Sequence, residues 1–415
     1  MKNVRLAALL VSGGLCSATS ALAQPAAAPA EDDENLFRFY GMFNPRFVAS
    51  SGAVESYSQP NAVAVTAAGN PVLSIAPDKP RYTFQVAQSR IGFWLNEKGP
   101  LRAQLEIDFV DFGKSTPTTG SLPRVRLARV DYSFAPGHTL SMGQDWDLHA
   151  PINPHGINLV GALFQAGNAG FMRQQLKYVY SAPELELGAA LGFPTPNNSA
   201  KAASLEIGTL PTLAVRGAYK FGKSKVGASA IATRLPFNLG AEDERVSTAF
   251  SAALFSEFAP SADTHVRVEL NYGQNAANLG LLTLAQGRHS EDLQEFGGLI
   301  SARQVVASQH AVYGMAGYQK VVDASKVLPS YGYGAVPGNG TPPAFSSASL
   351  AGSGPGLVHN GTVRLGYEFR PTRKLAFMVE GFLFQSRFRL QQVDEGRVEP
   401  VRTSMGIEAG ALLSF

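Results

Sequence analysis

From Leu36 to Phe415 the chain returns again and again to a period of two, and it ends on the clearest instance. Val401, Thr403, Met405, Ile407, Ala409, Ala411, Leu413 and Phe415 share one face of an extended segment. Arg402, Ser404, Gly406, Glu408, Gly410 and Leu412 share the other. Successive side chains of a strand point to opposite sides, so this pattern builds a strand with one apolar and one polar face. Val363, Leu365, Tyr367 and Phe369 alternate in the same way with Thr362, Arg364, Gly366, Glu368 and Arg370. So do Val266 to Tyr272 with His265 to Asn271, and Ala103 to Phe109 with Arg102 to Asp108. Each stretch has the length a tilted strand needs to cross a bilayer. No later segment has about 18 uninterrupted apolar residues, so no spanning helix is encoded. A chain that spans lipid without helices must close its sheet, because open edges leave backbone groups unpaired. The expected fold is all-β: a transmembrane antiparallel β-barrel over 36–415.

The connections alternate in length. Short turns fall at Glu97-Lys98-Gly99-Pro100, Ala135-Pro136-Gly137, Ala182-Pro183-Glu184, Gly222-Lys223-Ser224, Ala259-Pro260-Ser261 and Pro371-Thr372-Arg373. Between them lie polar or glycine-rich segments at 50–80, 113–122, 147–167, 194–206, 236–245, 273–290, 323–356 and 391–399. Short periplasmic turns and long extracellular loops predict this rhythm, whereas a soluble sandwich does not. One further turn near Ala307 to Gln309 follows from parity alone, and the total comes to about 16 strands. Aromatic residues such as Phe37, Phe39, Tyr132, Phe134, Tyr178, Tyr180, Tyr219, Phe221, Tyr367 and Phe369 gather near strand ends, as interfacial girdles do. Ordinary β-propensity of aromatics would also place them there.

The first residues are of another kind. Lys2 and Arg5, an apolar run from Leu6 to Leu15, and Ala21-Leu22-Ala23 make a secretory signal peptide, expected to be removed after residue 23. The bulky Leu15 before Cys16 disfavours a lipoprotein signal. Cys16, the only cysteine, leaves with this segment, so no disulfide is expected. Gln24 to Asn35 is Pro/Ala-rich and then acidic, and reads as a disordered periplasmic lead. At 16% charged residues and a net charge of +3, nothing suggests a nucleic-acid partner. The expected location is the bacterial outer membrane, with lipid and lipopolysaccharide as surroundings.

In such a barrel the inward charges are the functional candidates. The densest basic run is Arg124-Val125-Arg126-Leu127-Ala128-Arg129. Val125 and Leu127 are expected to face lipid and Arg124 and Arg126 the lumen. Arg129 keeps that side only if a bulge falls near Ala128, and a lipid-facing arginine costs about 2–4 kcal/mol at mid-membrane. Arg90, Arg173, Lys177, Arg216, Arg267, Arg364 and Arg402 also read as inward, with Glu106, Asp108, Asp131, Glu269, Glu368 and Glu408 as inward acids. The preceding strand sets Glu106 and Asp108 beside Arg124 and Arg126. Two readings compete: balanced ion pairs that stiffen the wall, or an arginine ladder that attracts small anionic solutes.

Segment 147–167 contains Leu148, His149, Ile152, His155, Ile157, Leu159 and Val160, too apolar for a loop in solvent. Folding into the lumen would narrow the pore, with His149 and His155 among its lining residues; packing at a subunit interface is the other option. Asp145, Asp147, His149 and His155 are residue types that bind zinc, but their loose spacing makes no metal motif. There is no G-x-S-x-G, H-E-x-x-H or Walker signature, so no enzyme activity and no cofactor is expected.

A set of segments in the first half resembles the DcaP-like porins: Ser89-Arg90-Ile91-Gly92-Phe93, Glu106-Ile107-Asp108-Phe109, Arg126 to Tyr132, Gly143-Gln144-Asp145-Trp146 and Phe171-Met172-Arg173-Gln174-Gln175. The resemblance implies a homotrimer of 16-stranded channels passing small anions such as dicarboxylates. Gln24 to Asn35 carries no heptads to match the family's coiled-coil element, so trimerisation falls to the barrel wall. The expected function is passive diffusion of small hydrophilic solutes, anion-preferring, with 147–167 as the constriction. A structural or adhesive barrel with a plugged lumen is the alternative. A TonB-dependent transporter is excluded by length, since the chain lacks room for a plug and 22 strands.

Overall fold

The computed structural model describes residues 36–52, 80–110, 123–149, 152–159, 162–170, 172–192, 211–237, 245–281, 283–284, 292–327, 330–331, 357–388, 390–391 and 401–415. The signal segment and lead (1–35) and most of the long connections lie outside the described residues.

Sixteen strands follow one another around a closed antiparallel barrel. The first two are each in two pieces: β1 is Phe37–Phe43 continued by Arg46–Ser50, and β2 is Arg81–Gln85 continued by Arg90–Leu95. Then come β3 (Leu101–Asp108), β4 (Arg124–Ala135), β5 (His138–Trp146), β6 (Met172–Ser181), β7 (Leu185–Gly192) and β8 (Thr212–Phe221). The second half is β9 (Ser224–Phe237), β10 (Arg245–Phe258), β11 (Thr264–Gln274), β12 (Gln294–Ala307), β13 (His310–Val321), β14 (Leu357–Phe369), β15 (Leu375–Phe388) and β16 (Val401–Ser414). The barrel closes where β16 meets β1, with Phe43 opposite Leu413 and Arg46 opposite Gly410. Phe415 completes the seam: its N–H donates to Gly41 O at 3.1 Å and its carbonyl accepts from Gly41 N at 3.3 Å.

The breaks in β1 and β2 have a local cause. Pro45 has no N–H to give the ladder. Asn44 N turns instead to Ser89 Oγ at 3.1 Å, and residues 86–89 form a turn closed by Ser89 N to Val86 O. The turn at Ala307 to Gln309, inferred from parity, lies between β12 and β13 as expected.

The two faces follow the alternation. Met142 and Leu365 are about 70% exposed, while the neighbouring inward Arg364 is fully buried. Water would penalise such a surface, and lipid satisfies it. The expected bulge in β4 is present but sits at Arg126: Asp108 pairs with Arg124, Ile107 with Val125, and Glu106 with Leu127. Gln144 Nε2 donates to the carbonyls this opens, Val125 O at 2.7 Å and Arg126 O at 3.2 Å. The extra residue brings Arg124, Arg126 and Arg129 all to the lumen side. It also corrects the expectation for Leu127, which turns inward and is buried rather than facing lipid.

Candidate functional site

The described parts of segment 147–169 (147–149, 152–159 and 162–169) run along the inside of the barrel, bonding to inward side chains strand after strand. Asp147 accepts from Arg173 Nε on β6 at 2.8 Å. His149 hydrogen-bonds Ser229 of β9 through Nδ1 (3.1 Å) and Ser251 of β10 through Nε2 (2.8 Å). Arg267 of β11 donates to Asn153 O, and His155 reaches Ser301 of β12 through its N–H and Glu368 of β14 through Nε2. Ile157 N–H donates to Glu380 of β15, and its carbonyl accepts from Asn44 of β1. Gln88 binds both Asn158 and the Leu159 N–H, and Arg90 of β2 donates to Leu159 O at 2.8 Å. On the return, Gln165 O accepts from Asn360 of β14, Gly167 O from Asn271 of β11, and Ala169 N–H donates to Glu269.

Packing explains why the segment stays there. Ile152, Ile157, Ala162 and Leu163 are buried against Phe255, Leu299, Tyr313, Met315 and Met378, inward residues of the second half of the wall. Burying each large aliphatic side chain is worth about 1.5–3 kcal/mol. Backbone meets backbone at Gly167 (φ +97°), where a Cβ would lie 2.0 Å from Gly298 O, and at Gly317, where one would lie 1.9 Å from Ala166 O. Leu148 packs separately with Ile231, Leu279 and Leu281, so part of the connection after β11 also turns inward. Behind the segment Arg46 pairs with Glu408 at 2.8 Å, and Arg364 lies between Glu380 (2.5 Å) and Glu408 (3.2 Å).

The inward side of β2 to β6 is charged instead. Arg124 holds Asp108 in a two-pronged bond at 2.9 and 2.6 Å. Arg126 pairs with Glu106, Arg129 and Lys177 both pair with Asp145, and Arg102 lies 3.4 Å from Asp131. Arg90, which holds Leu159 O, completes a group of six bases facing four carboxylates. The chain's two tryptophans stack on it: Trp94 with Arg129 at 5.5 Å and Trp146 with Arg126 at 5.2 Å. Such a row leaves positive charge unneutralised while keeping each guanidinium fixed in direction.

No protein-family model and no curated protein matches the sequence significantly. Solved structures do. The outer membrane channel DcaP of Acinetobacter baumannii is similar with a TM-score of 0.63 at 15% identity, covering 91% of this chain and 97% of that one. An anion-selective porin from Comamonas acidovorans gives 0.53 at 12% identity, over 91% and 99%. The trimer form of the outer membrane protein OmpT of Vibrio cholerae gives 0.51 at 14%, over the same shares. The chain has the porin fold.

Within this porin barrel the sequence-derived candidates separate into groups. Arg90, Glu106, Asp108, Arg124, Arg126 and Arg129 come together in the row described. Arg216 lies elsewhere, 3.4 Å from Glu186 and against the ring of Phe255. Two of the expected lining residues are tied to the segment. Arg173 is buried between Asp147 and Leu279 O, and His149 is buried between its two serines, so both fasten the loop. His155 is half-exposed but is bound to Glu368. Asp145, Asp147, His149 and His155 each have a different partner. Among the described residues no three such side chains gather as a metal would need. The side chain of Arg402 lies outside the described residues. Sequence reasoning missed Trp94 and the role of Asp145; parity with Arg90 was the available signal for Trp94. It also missed the inward Phe255 and Met315, whose strands are apolar on both sides.

Proposed function

We propose that this chain is an outer-membrane porin that passes small hydrophilic anions, dicarboxylate-like in size, by passive diffusion between loop 147–167 and the row on β2 to β6. The excess of bases over carboxylates on that wall carries the reading. A water-filled passage walled by protein focuses such a field, enriching anions and slowing cations. Residues 1–23 direct export, 24–35 form the periplasmic lead, and the short turns lie on the periplasmic side. No chemical transformation is part of this reading, and its neighbours in the wall are lipid and lipopolysaccharide. The DcaP channel and the anion-selective Comamonas porin share the fold, which supports the same use here.

Assembly as a homotrimer is part of the proposal. The outer face of β1 and β2 carries Phe37, Phe39 and Phe93 in ring contact (4.4 and 4.9 Å), and Phe47 beside Tyr82 and Phe84. Aromatic faces of this sort favour protein contact in a bilayer.

The dense packing of loop against β8 to β15 favours the plugged barrel as a second reading. Planar-bilayer recording separates them. A porin gives discrete conductance steps and, in a salt gradient, a reversal potential of anionic sign. Absence of steps sinks the channel, and a cationic sign sinks the anion preference.

A further inference from the structure

A second basic cluster lies away from the row on β2 to β6. On adjacent strands His265 stands opposite Arg303 and Arg267 opposite Ser301, all on the inward side. Arg370 follows β14, and His155 arrives from the loop. These six residues line a cavity of about 280 Å³ near the short turns after β12 and β14. At about 30 Å³ per liquid water, it has room for roughly nine waters, the size of a small ion with part of its shell.

Its charge is unbalanced. Glu368 is buried and holds three of the bases: His155 at 2.8 Å, Arg370 at 2.9 Å and Arg303 at 3.0 Å. Arg267 leans on Glu257 at 3.4 Å while giving Nη1 to Asn153 O. Three guanidiniums and two imidazoles thus converge on a space whose bordering carboxylate is drawn back behind them. Arg303 Nε is a buried donor with no hydrogen-bond partner among the described residues. That donor is closed to solvent, so an ion in the cavity would meet the other guanidinium nitrogens that line it.

We propose that this cavity binds a small oxyanion of two or more negative charges, such as phosphate or a short dicarboxylate, as a station distinct from the β2 to β6 row. Bidentate guanidinium contacts suit the oxygen pairs of either ion, and His155 ties occupancy to the seating of loop 147–167. The site rests on its own geometry and does not need the anion preference of the row.

The test is calorimetric titration of the folded full-length barrel in detergent with inorganic phosphate and with succinate. Wild type, Arg370→Gln, His265→Gln and, as a control at the exposed turn between β8 and β9, Lys223→Gln are compared. Loss of one charge-assisted contact is expected to weaken binding about tenfold in Arg370→Gln and about threefold in His265→Gln, with Lys223→Gln unchanged. His265 has no ion pair to break among the described residues, so its variant keeps the test decisive if Arg370→Gln misfolds. Preference for phosphate or for succinate identifies the oxyanion, and either supports the site. No uptake by wild type, or equal affinity in all variants, overturns it. Equal weakening in Lys223→Gln also overturns it and leaves the porin reading standing. Intact titration without conductance steps sinks the porin reading alone.

Discussion

The two halves of this barrel use the same alternation to opposite ends. On β2 to β6 the inward positions are arginine, lysine, aspartate and glutamate, paired across strands, with the carboxylates buried and Arg102, Arg124 and Arg129 partly exposed. On β8 to β15 many are alanine, methionine, phenylalanine or leucine, and the Arg364–Glu380 pair is sealed behind a loop. The first wall keeps side chains usable; the second spends them on holding the loop. A polar inward face is therefore not one environment but two, and the partner in front of each strand decides which.

The comparison can be broken most severely at Gly167. Gly167→Val adds a side chain where the backbone is left-handed and a Cβ would strike Gly298 O. On the proposed constriction, release from the wall should raise single-channel conductance several-fold; unchanged conductance would remove 147–167 from that role. Glu380→Gln attacks the sealed ions. Breaking a buried pair costs about 3–5 kcal/mol, so the folded band in heat-modifiability gels should be lost at a visibly lower temperature, with little change in ion selectivity. Arg126→Gln acts on the charged wall. It leaves Glu106 without its cation there, and the anion-over-cation permeability ratio should fall roughly twofold in a reversal-potential measurement.

The smallest effect concerns acid. Burial pushes the His149 imidazole down to about 4, and the Arg173 charge acts in the same direction against Asp147. A released loop would present an ordinary histidine near 6.5. Between those values the released state binds the extra proton, so seating weakens as pH falls from 6.5 towards 4. Conductance noise should grow over that window in wild type and much less in His149→Asn. Equal growth in both would assign the effect to other groups.

The barrel was legible in the sequence because period two and turn chemistry are local signals. Even the bulge announced itself, since Arg129 could not otherwise leave the lipid side. Its site at Arg126 was not readable, because it depends on which carbonyls Gln144 can satisfy. The cross-strand neighbours of Arg124 and Arg126 followed from strand order. The fates of Arg173 and His149 did not: both are decided by Leu279, Ser229 and Ser251, from distant strands and connections. The apolar bed beneath the loop showed only as adjacent apolar residues, as at Leu254 and Phe255, which alternation alone cannot interpret.

Ile157 deserves a last consideration as a rivet. Its N–H is held by β15 and its carbonyl by β1, so one peptide residue reaches past β16 and spans the joint where the first and last strands meet. Until that joint forms, Ile157 has only one of its two partners. The seat of this residue is therefore complete only in the closed barrel.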